Sequence, residues 1–183
     1  MTPAPLVGVL ALQGGFAAHA RMLRALGAEV REVRVPADLE GLDGLVMPGG
    51  ESTTMTLGIE REGLADPLRA FSKPIFGTCA GLIMLDREHL GLMDIVAERN
   101  AFGRQLHSFE EDLQFPGMEG GPVRAVFIRA PWVASHGADV EVLAAVDGHV
   151  VAARQENMLV ISFHPEIAGE PRLHELFLQD VRG

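Results

Sequence analysis

Short apolar runs alternate with amphipathic stretches through the first half of this chain. Leu6 to Leu12 is a strand-length apolar run, and Phe16 to Leu26 sets Phe16, His19, Leu23 and Leu26 at helical spacing before Gly27 supplies a stop. Val30, Val33 and Val35 mark a β-branched stretch, and Gly44 to Met47 reads as a buried strand ending at Pro48-Gly49-Gly50. The spacing predicts a helix next, with Ser52, Thr53 and Thr54 as its capping residues, and a further helical segment from Leu64 to Phe71. Lys73-Pro74 then opens another apolar strand. Strands and helices alternating at this interval predict parallel βαβ units with right-handed crossovers.

The second half changes character. Met93 to Glu98, Val123 to Ile128, Val140 to Val146, His149 to Arg154 and Met158 to Phe163 are rich in Val and Ile and are separated by turn signals such as Asp147-Gly148. They are predicted to extend the sheet and form hairpins. A closing helix from Pro171 to Val181 presents Leu173, Leu176, Phe177 and Val181 on one face. With 183 residues and no repeat or Ser/Gly-rich linker, one domain spanning 1–183 is expected.

Charge and cysteine usage narrow the function classes. The net charge is −10, with 15 basic residues scattered among 25 acidic ones, so no basic stripe is available to a phosphate backbone. Nucleic acid is not an expected partner. The N-terminal stretch lacks a basic signal-peptide region, and no apolar run approaches the ~20 residues that span a bilayer. With its single cysteine unable to form an internal disulfide, the chain is expected to work in the cytoplasm, away from membranes.

That cysteine is the first candidate for chemistry. Gly77-Thr78-Cys79-Ala80-Gly81 places it between two glycines where an apolar strand turns into a helix, the local pattern of a nucleophile elbow. The alternative is a buried cysteine acting as a small hydrophobe. A cysteine nucleophile needs a histidine, and the histidine a carboxylate to orient it. Of seven histidines, His164 alone follows a buried strand, and Pro165 and Glu166 come directly after it. An ordinary surface turn would give the same tripeptide. His19 falls in a predicted helix, His107 and His136 in loops, His149 beside a hairpin turn, and His89 and His174 in polar surroundings. No His-x-x-x-His or Cys-x-x-Cys pattern points to a metal. Gly49-Gly50-Glu51-Ser52-Thr53, a glycine pair between strand and helix, offers backbone N–H groups to developing negative charge, although it could equally be a helix-capping turn. An oxyanion hole built from the Gly50 and Ala80 amides suits acyl transfer, whereas a phosphate loop lacks its lysine and glycine fingerprint.

These three segments together resemble the triad-type, class I glutamine amidotransferases. Leu12-Gln13-Gly14, Pro48 to Thr54, Glu98-Arg99-Asn100-Ala101-Phe102-Gly103-Arg104-Gln105, Ser108-Phe109-Glu110 and Phe127-Ile128-Arg129-Ala130-Pro131 narrow the likeness to the glutaminase subunits of pyridoxal 5′-phosphate synthase. The resemblance runs from about Leu6 to Glu166. It implies a doubly wound α/β fold, with a mainly parallel, flavodoxin-like sheet and helices on both faces. Cys79 would attack the side-chain amide of L-glutamine, and a γ-glutamyl thioester would be hydrolysed to glutamate and ammonia. His164 would act as base and acid, oriented by Glu166. Gly50, Glu51, Ser52, Arg99, Ile128 and Arg129 would hold the substrate, and Gln13 would take part in completing the oxyanion hole. The family glutaminase carries no cofactor and docks on a separate synthase subunit that consumes the ammonia. Asp86 to Gly91 forms a shorter loop than in many relatives. Outside this family, the elbow is also compatible with an oxidant-sensing α/β module or a binding subunit without turnover, readings that leave Glu166 and the glycine pair without a role.

Overall fold

The computed structural model describes residues 2–103 and 108–183. Its first half follows the predicted alternation. β1 (Leu6–Leu10) leads through α1 (Phe16–Ala25), β2 (Glu29–Val33), β3 (Gly44–Met47), α2 (Ser52–Arg61) and α3 (Ala65–Arg69) to β4 (Ile75–Thr78) and α4 (Ala80–Leu85). Then come β5 (Ile95–Glu98), β6 (Ser108–Leu113), β7 (Val123–Ile128), β8 (Trp132–His136), β9 (Glu141–Val146), β10 (His149–Gln155) and β11 (Met158–Ile161). The chain closes with the short α5 (Pro165–Ala168) and α6 (Arg172–Arg182).

Five strands in the order β2-β1-β3-β4-β11 run parallel and form the centre of the main sheet. Beyond β11 the pairing turns antiparallel, through β10 to β8 and β5, with β9 alongside β10. β6 and β7 form a separate antiparallel ribbon.

Helices cover both faces, so the central strands are apolar on both sides instead of alternating. In β3, Leu45 and Met47 join the core made with Met55 and Ile59 of α2, Leu68 of α3 and Leu82 of α4. Val46 faces the other core, with Leu23 of α1 and Leu173, Phe177 and Leu178 of α6. Phe76 of β4 stacks on Phe177 with ring centroids 5.8 Å apart. The doubly wound expectation is therefore met, with the parallel order of a flavodoxin-like core.

Two strands were not anticipated. β6 reads Ser-Phe-Glu-Glu-Asp-Leu and has too few apolar positions to signal a strand. It is held by its ladder to β7 and by Arg124, which pairs with both Glu110 and Asp112. β8 includes His136, predicted to lie in a loop; pairing with β5 extends the strand to it. His107, Arg104 and Gln105 lie outside the described residues. No helix among the described residues is long and apolar enough to cross a membrane.

Strand order decides where the chemistry sits. β4 and β11 are adjacent and parallel, with Thr78 opposite Ile161 at their carboxyl ends. The residues just beyond both strands meet in the crevice where open α/β sheets bind ligands.

Candidate active site

Cys79 joins β4 to α4 with φ 52° and ψ −108°, a conformation rare for a residue with a Cβ. Its N–H donates to the Ile161 carbonyl at 2.9 Å, fixing the elbow to β11. The flanking glycines permit a tight crossing. A Cβ at Gly77 would lie 2.8 Å from the Gly81 carbonyl oxygen, and one at Gly81 would run into the Met47 carbonyl. This sharp turn leaves the Ala80 N–H at the start of α4, where it has no intrahelical partner.

His164 sits at the N-cap of α5, its own N–H donating to the Val126 carbonyl at 2.9 Å. Pro165 occupies the first turn, where it needs no donor. The turn folds Glu166 back, and His164 Nδ1–H donates to Glu166 Oε1 at 2.7 Å. A spacing of two residues is thus enough to make a His–Glu pair. Burial opposes charge on His164, but the adjacent Cys79 side chain and the Glu166 carboxylate outweigh it and push its pKa up to about 10. Burial also acts against the Glu166 carboxylate, yet the bond from His164 and the nearby His19 leave its pKa below the usual value.

Gly49 closes the other side of the pair. A Cβ there would lie 2.7 Å from His164 Cε1 and 3.2 Å from the Cys79 Cβ, so the imidazole approaches backbone that only glycine leaves open. The Gly49 carbonyl accepts from Gly15 N–H at 3.0 Å. In a trans peptide C=O and N–H point oppositely, so the Gly50 N–H is on the edge turned away from Gly15. Gln13 braces this loop: its Oε1 accepts the Glu51 N–H at 2.6 Å.

Capping of α2 differs from expectation. Ser52, Thr53 and Thr54 lie inside the first turn, and the cap is Glu51, whose carboxylate accepts from Thr53 N–H at 3.1 Å and Thr54 N–H at 2.7 Å. A carboxylate there satisfies two orphan donors and meets the positive end of the helix dipole. Hydrogen bonds from Thr54 and Thr53 pull the Glu51 pKa down to about 2.

A family model describing the SNO glutamine amidotransferase family matches residues 9–182. The chain belongs to that family. It is 49% identical over 198 residues to the pyridoxal 5′-phosphate synthase subunit PdxT of Rhodococcus opacus, covering 98% of each chain. With the PdxT of Geobacillus kaustophilus it shares 52% over 186 residues, covering 96% of this chain and 94% of the relative. A crystal structure described as a glutamine amidotransferase superposes with a TM-score of 0.90 at 46% identity, covering 97% of this chain and 99% of the other.

In this amidotransferase the cleft above Cys79 has a volume of about 600 Å³. Gly50, Glu51, Ser52, Ala80, Arg99, Ile128 and Arg129 line it, together with Cys79 and His164, whereas Gln13 is not in its wall and touches the site only through the Glu51 N–H. Glu166 stands behind His164, away from the cleft. Arg99 reaches across the mouth to the Ser52 hydroxyl and donates to Thr53 Oγ1 at 2.8 Å. Of five non-glycine residues with positive φ among those described, Cys79, Asn100 and Arg129 all border the cleft. Backbone strain is concentrated where the ligand space is shaped.

Thr53, Asn100, Ile83 and Pro131 also line the cleft and were not singled out as site residues. Asn100 and Pro131 lie within the quoted family motifs, whereas nothing in the local pattern marks Ile83. His174 was misplaced. It is fully buried, edge-on to Phe76, rather than in polar surroundings, because α6 turns this position inward beside Leu173 and Phe177. His19 is also fully buried, behind Glu166. Among the described residues, no group of three or more His, Cys, Asp or Glu is arranged to hold a metal ion.

Proposed function

We propose that Cys79, His164 and Glu166 hydrolyse the side-chain amide of L-glutamine, and that the ammonia passes to a synthase subunit building pyridoxal 5′-phosphate in the cytoplasm. The observation that carries the chemistry is the elbow cysteine facing an imidazole whose far nitrogen is held by a buried carboxylate. The ammonia acceptor follows from the relatives at about half identity over nearly the whole chain, which are named as subunits of that synthase.

The Cys79 sulfur attacks the amide carbon and the carbonyl oxygen takes up negative charge. The Gly50 and Ala80 N–H groups are the donors assigned to that oxygen; loss of one such donor typically costs ~10²–10³ in rate. His164 Nε2, carrying the proton released as the Cys79 S–H bond breaks, gives it to the departing nitrogen, and ammonia leaves as the C–N bond breaks. The neutral imidazole then takes a proton from water, whose oxygen attacks the thioester, releasing glutamate and returning the thiol. Glu166 keeps the imidazole in the tautomer that directs Nε2 at sulfur. Arg99 and Arg129 provide the charge that the substrate's α-carboxylate requires.

The test is glutamine-dependent ammonia release by the chain, with and without the synthase subunit, and with Cys79→Ala as the blank. Release that rises with the synthase and disappears in the variant is expected. Release by the variant would remove Cys79 from the mechanism, and no release by the wild type with the synthase would reject the activity.

A further inference from the structure

Behind the triad lies a buried polar chain that the mechanism above does not use. His19 of α1 and His174 of α6 are both fully buried, although Leu at either position would suit the apolar stripes of these helices. Burying imidazoles costs free energy unless their nitrogens find partners. His19 Nδ1 lies 2.7 Å from His174 Nε2. His19 Nε2 lies 3.1 Å from Thr78 Oγ1 and 3.5 Å from Glu166 Oε2, the carboxylate oxygen that His164 does not use. Two atoms of this chain, Glu166 Oε2 and His174 Nδ1, have no hydrogen-bond partner.

One placement of protons satisfies this geometry. If His174 Nε2–H donates to His19 Nδ1, His19 is neutral with its proton on Nε2, directed at Thr78 Oγ1 and Glu166 Oε2. The atom left over is then the His174 Nδ1 lone pair, next to the aromatic ring of Phe76. The opposite placement buries an unpaired His174 Nδ1–H and turns a His19 lone pair toward a carboxylate. Burial favours the neutral form of both rings, lowering the His19 pKa to about 4 and that of His174 well below its ordinary value. The titratable groups facing His19 are His174 from α6 and Glu166 and His164 at α5.

We propose that His19 is a positioning residue of the glutaminase: its Nε2–H holds the second oxygen of Glu166, and His174 fixes the tautomer that makes this possible. The chain then runs Cys79, His164, Glu166, His19, His174, linking the two outer helices α1 and α6 to the nucleophile through β4 and α5. Glu166 is held ionised and in the plane where Oε1 meets His164. The inference rests on the proposed glutaminase reaction for its kinetic consequence, but not for its proton placement.

Two measurements test it. Nitrogen NMR of the wild-type imidazoles, which requires no activity, should find His19 and His174 each protonated at Nε2 alone; a proton on His19 Nδ1 would overturn the proposal. With the synthase subunit saturating, His19→Leu should lower kcat by ~10- to 10²-fold with KM little changed, the size expected for slight misplacement of a catalytic group. The carbon NMR titration of Glu166 should move to higher pH in the same variant. His19→Gln, whose amide N–H can reach the Nε2 position, should restore most of the rate and the titration. Unchanged kcat in His19→Leu, or a Gln variant no better than Leu, would reduce His19 to a packing residue. A wild-type complex without ammonia release would instead reject the glutaminase reading, leaving the tautomer measurement to judge the hydrogen-bond chain.

Discussion

Gly49→Ala should disable the site with little damage to the fold. Gly49 is absent from the residues with positive φ, so alanine is conformationally admissible and by itself favours the folded state by ~0.4–1 kcal/mol. The added methyl, however, would stand 2.7 Å from His164 Cε1, so the ring must retreat about 0.7 Å to reach the 3.4 Å of ordinary contact. The other neighbour, the Cys79 Cβ at 3.2 Å, belongs to a backbone fixed on β11 and yields less. Crowding of this kind costs ~1–3 kcal/mol, for a net loss of ~1–2. In a domain of this size that is a fall of a few degrees in Tm. Displacing the general acid by most of an ångström costs up to ~10² in rate. The assay is ammonia release across glutamine concentrations with the synthase saturating, beside a thermal melt. A variant within threefold of wild-type kcat would refute the argument that Gly49 is glycine because the imidazole needs its space.

Three further outcomes follow from the same geometry. Arg99→Ala should raise KM for glutamine about tenfold and affect kcat less, the cost of one charge-assisted contact; an unchanged KM would assign Arg99 to bracing α2 through Ser52 and Thr53. Phe127→Ala should cost ~3–5 kcal/mol in urea unfolding, since its ring is buried between Phe109 at 4.6 Å and Phe163 at 5.5 Å, and a loss below 1 kcal/mol would contradict the packing. Acid should destabilise the chain through its buried histidines. His19 takes up a proton near 6.5 when unfolded but near 4 when folded, so the unfolded state binds more protons between these values and stability falls by ~3 kcal/mol as pH drops from 7 to 4. His174 acts in the same direction, and His19→Leu should flatten the slope. At the alkaline end the raised His164 pKa has the opposite effect: its contribution is full below 6.5 and disappears as pH climbs toward 10.

Most of the site was legible because its parts are local. The elbow is a property of Gly77 to Gly81, where two small residues let strand and helix cross. The His–Glu pair is a property of three consecutive residues and the short turn begun by Pro165. The motifs carrying Arg99, Ile128 and Arg129 were recognised as blocks, and the fold brings them to one cleft. The Glu51 cap is not signalled by the usual preferences, which Ser, Thr, Asp and Asn lead, although its longer carboxylate reaches the Thr53 and Thr54 amides from an extended N-cap backbone.

The sequence by itself determined the alternation of strands and helices, the apolar faces of α1 and α6, and the residue types that can do acyl chemistry, because each depends on spacing within one segment. Only the tertiary structure decided that β11, remote in sequence, is inserted beside β4, which brings His164 to Cys79. It also decided that β6 is a strand, since that segment gains its order from β7. His19 and His174 lie 155 positions apart, and in the sequence the first is one residue of a helix and the second one of a polar stretch. Their meaning arises from packing on one face of the sheet, where a neutral imidazole can remain buried because another residue supplies its hydrogen bond.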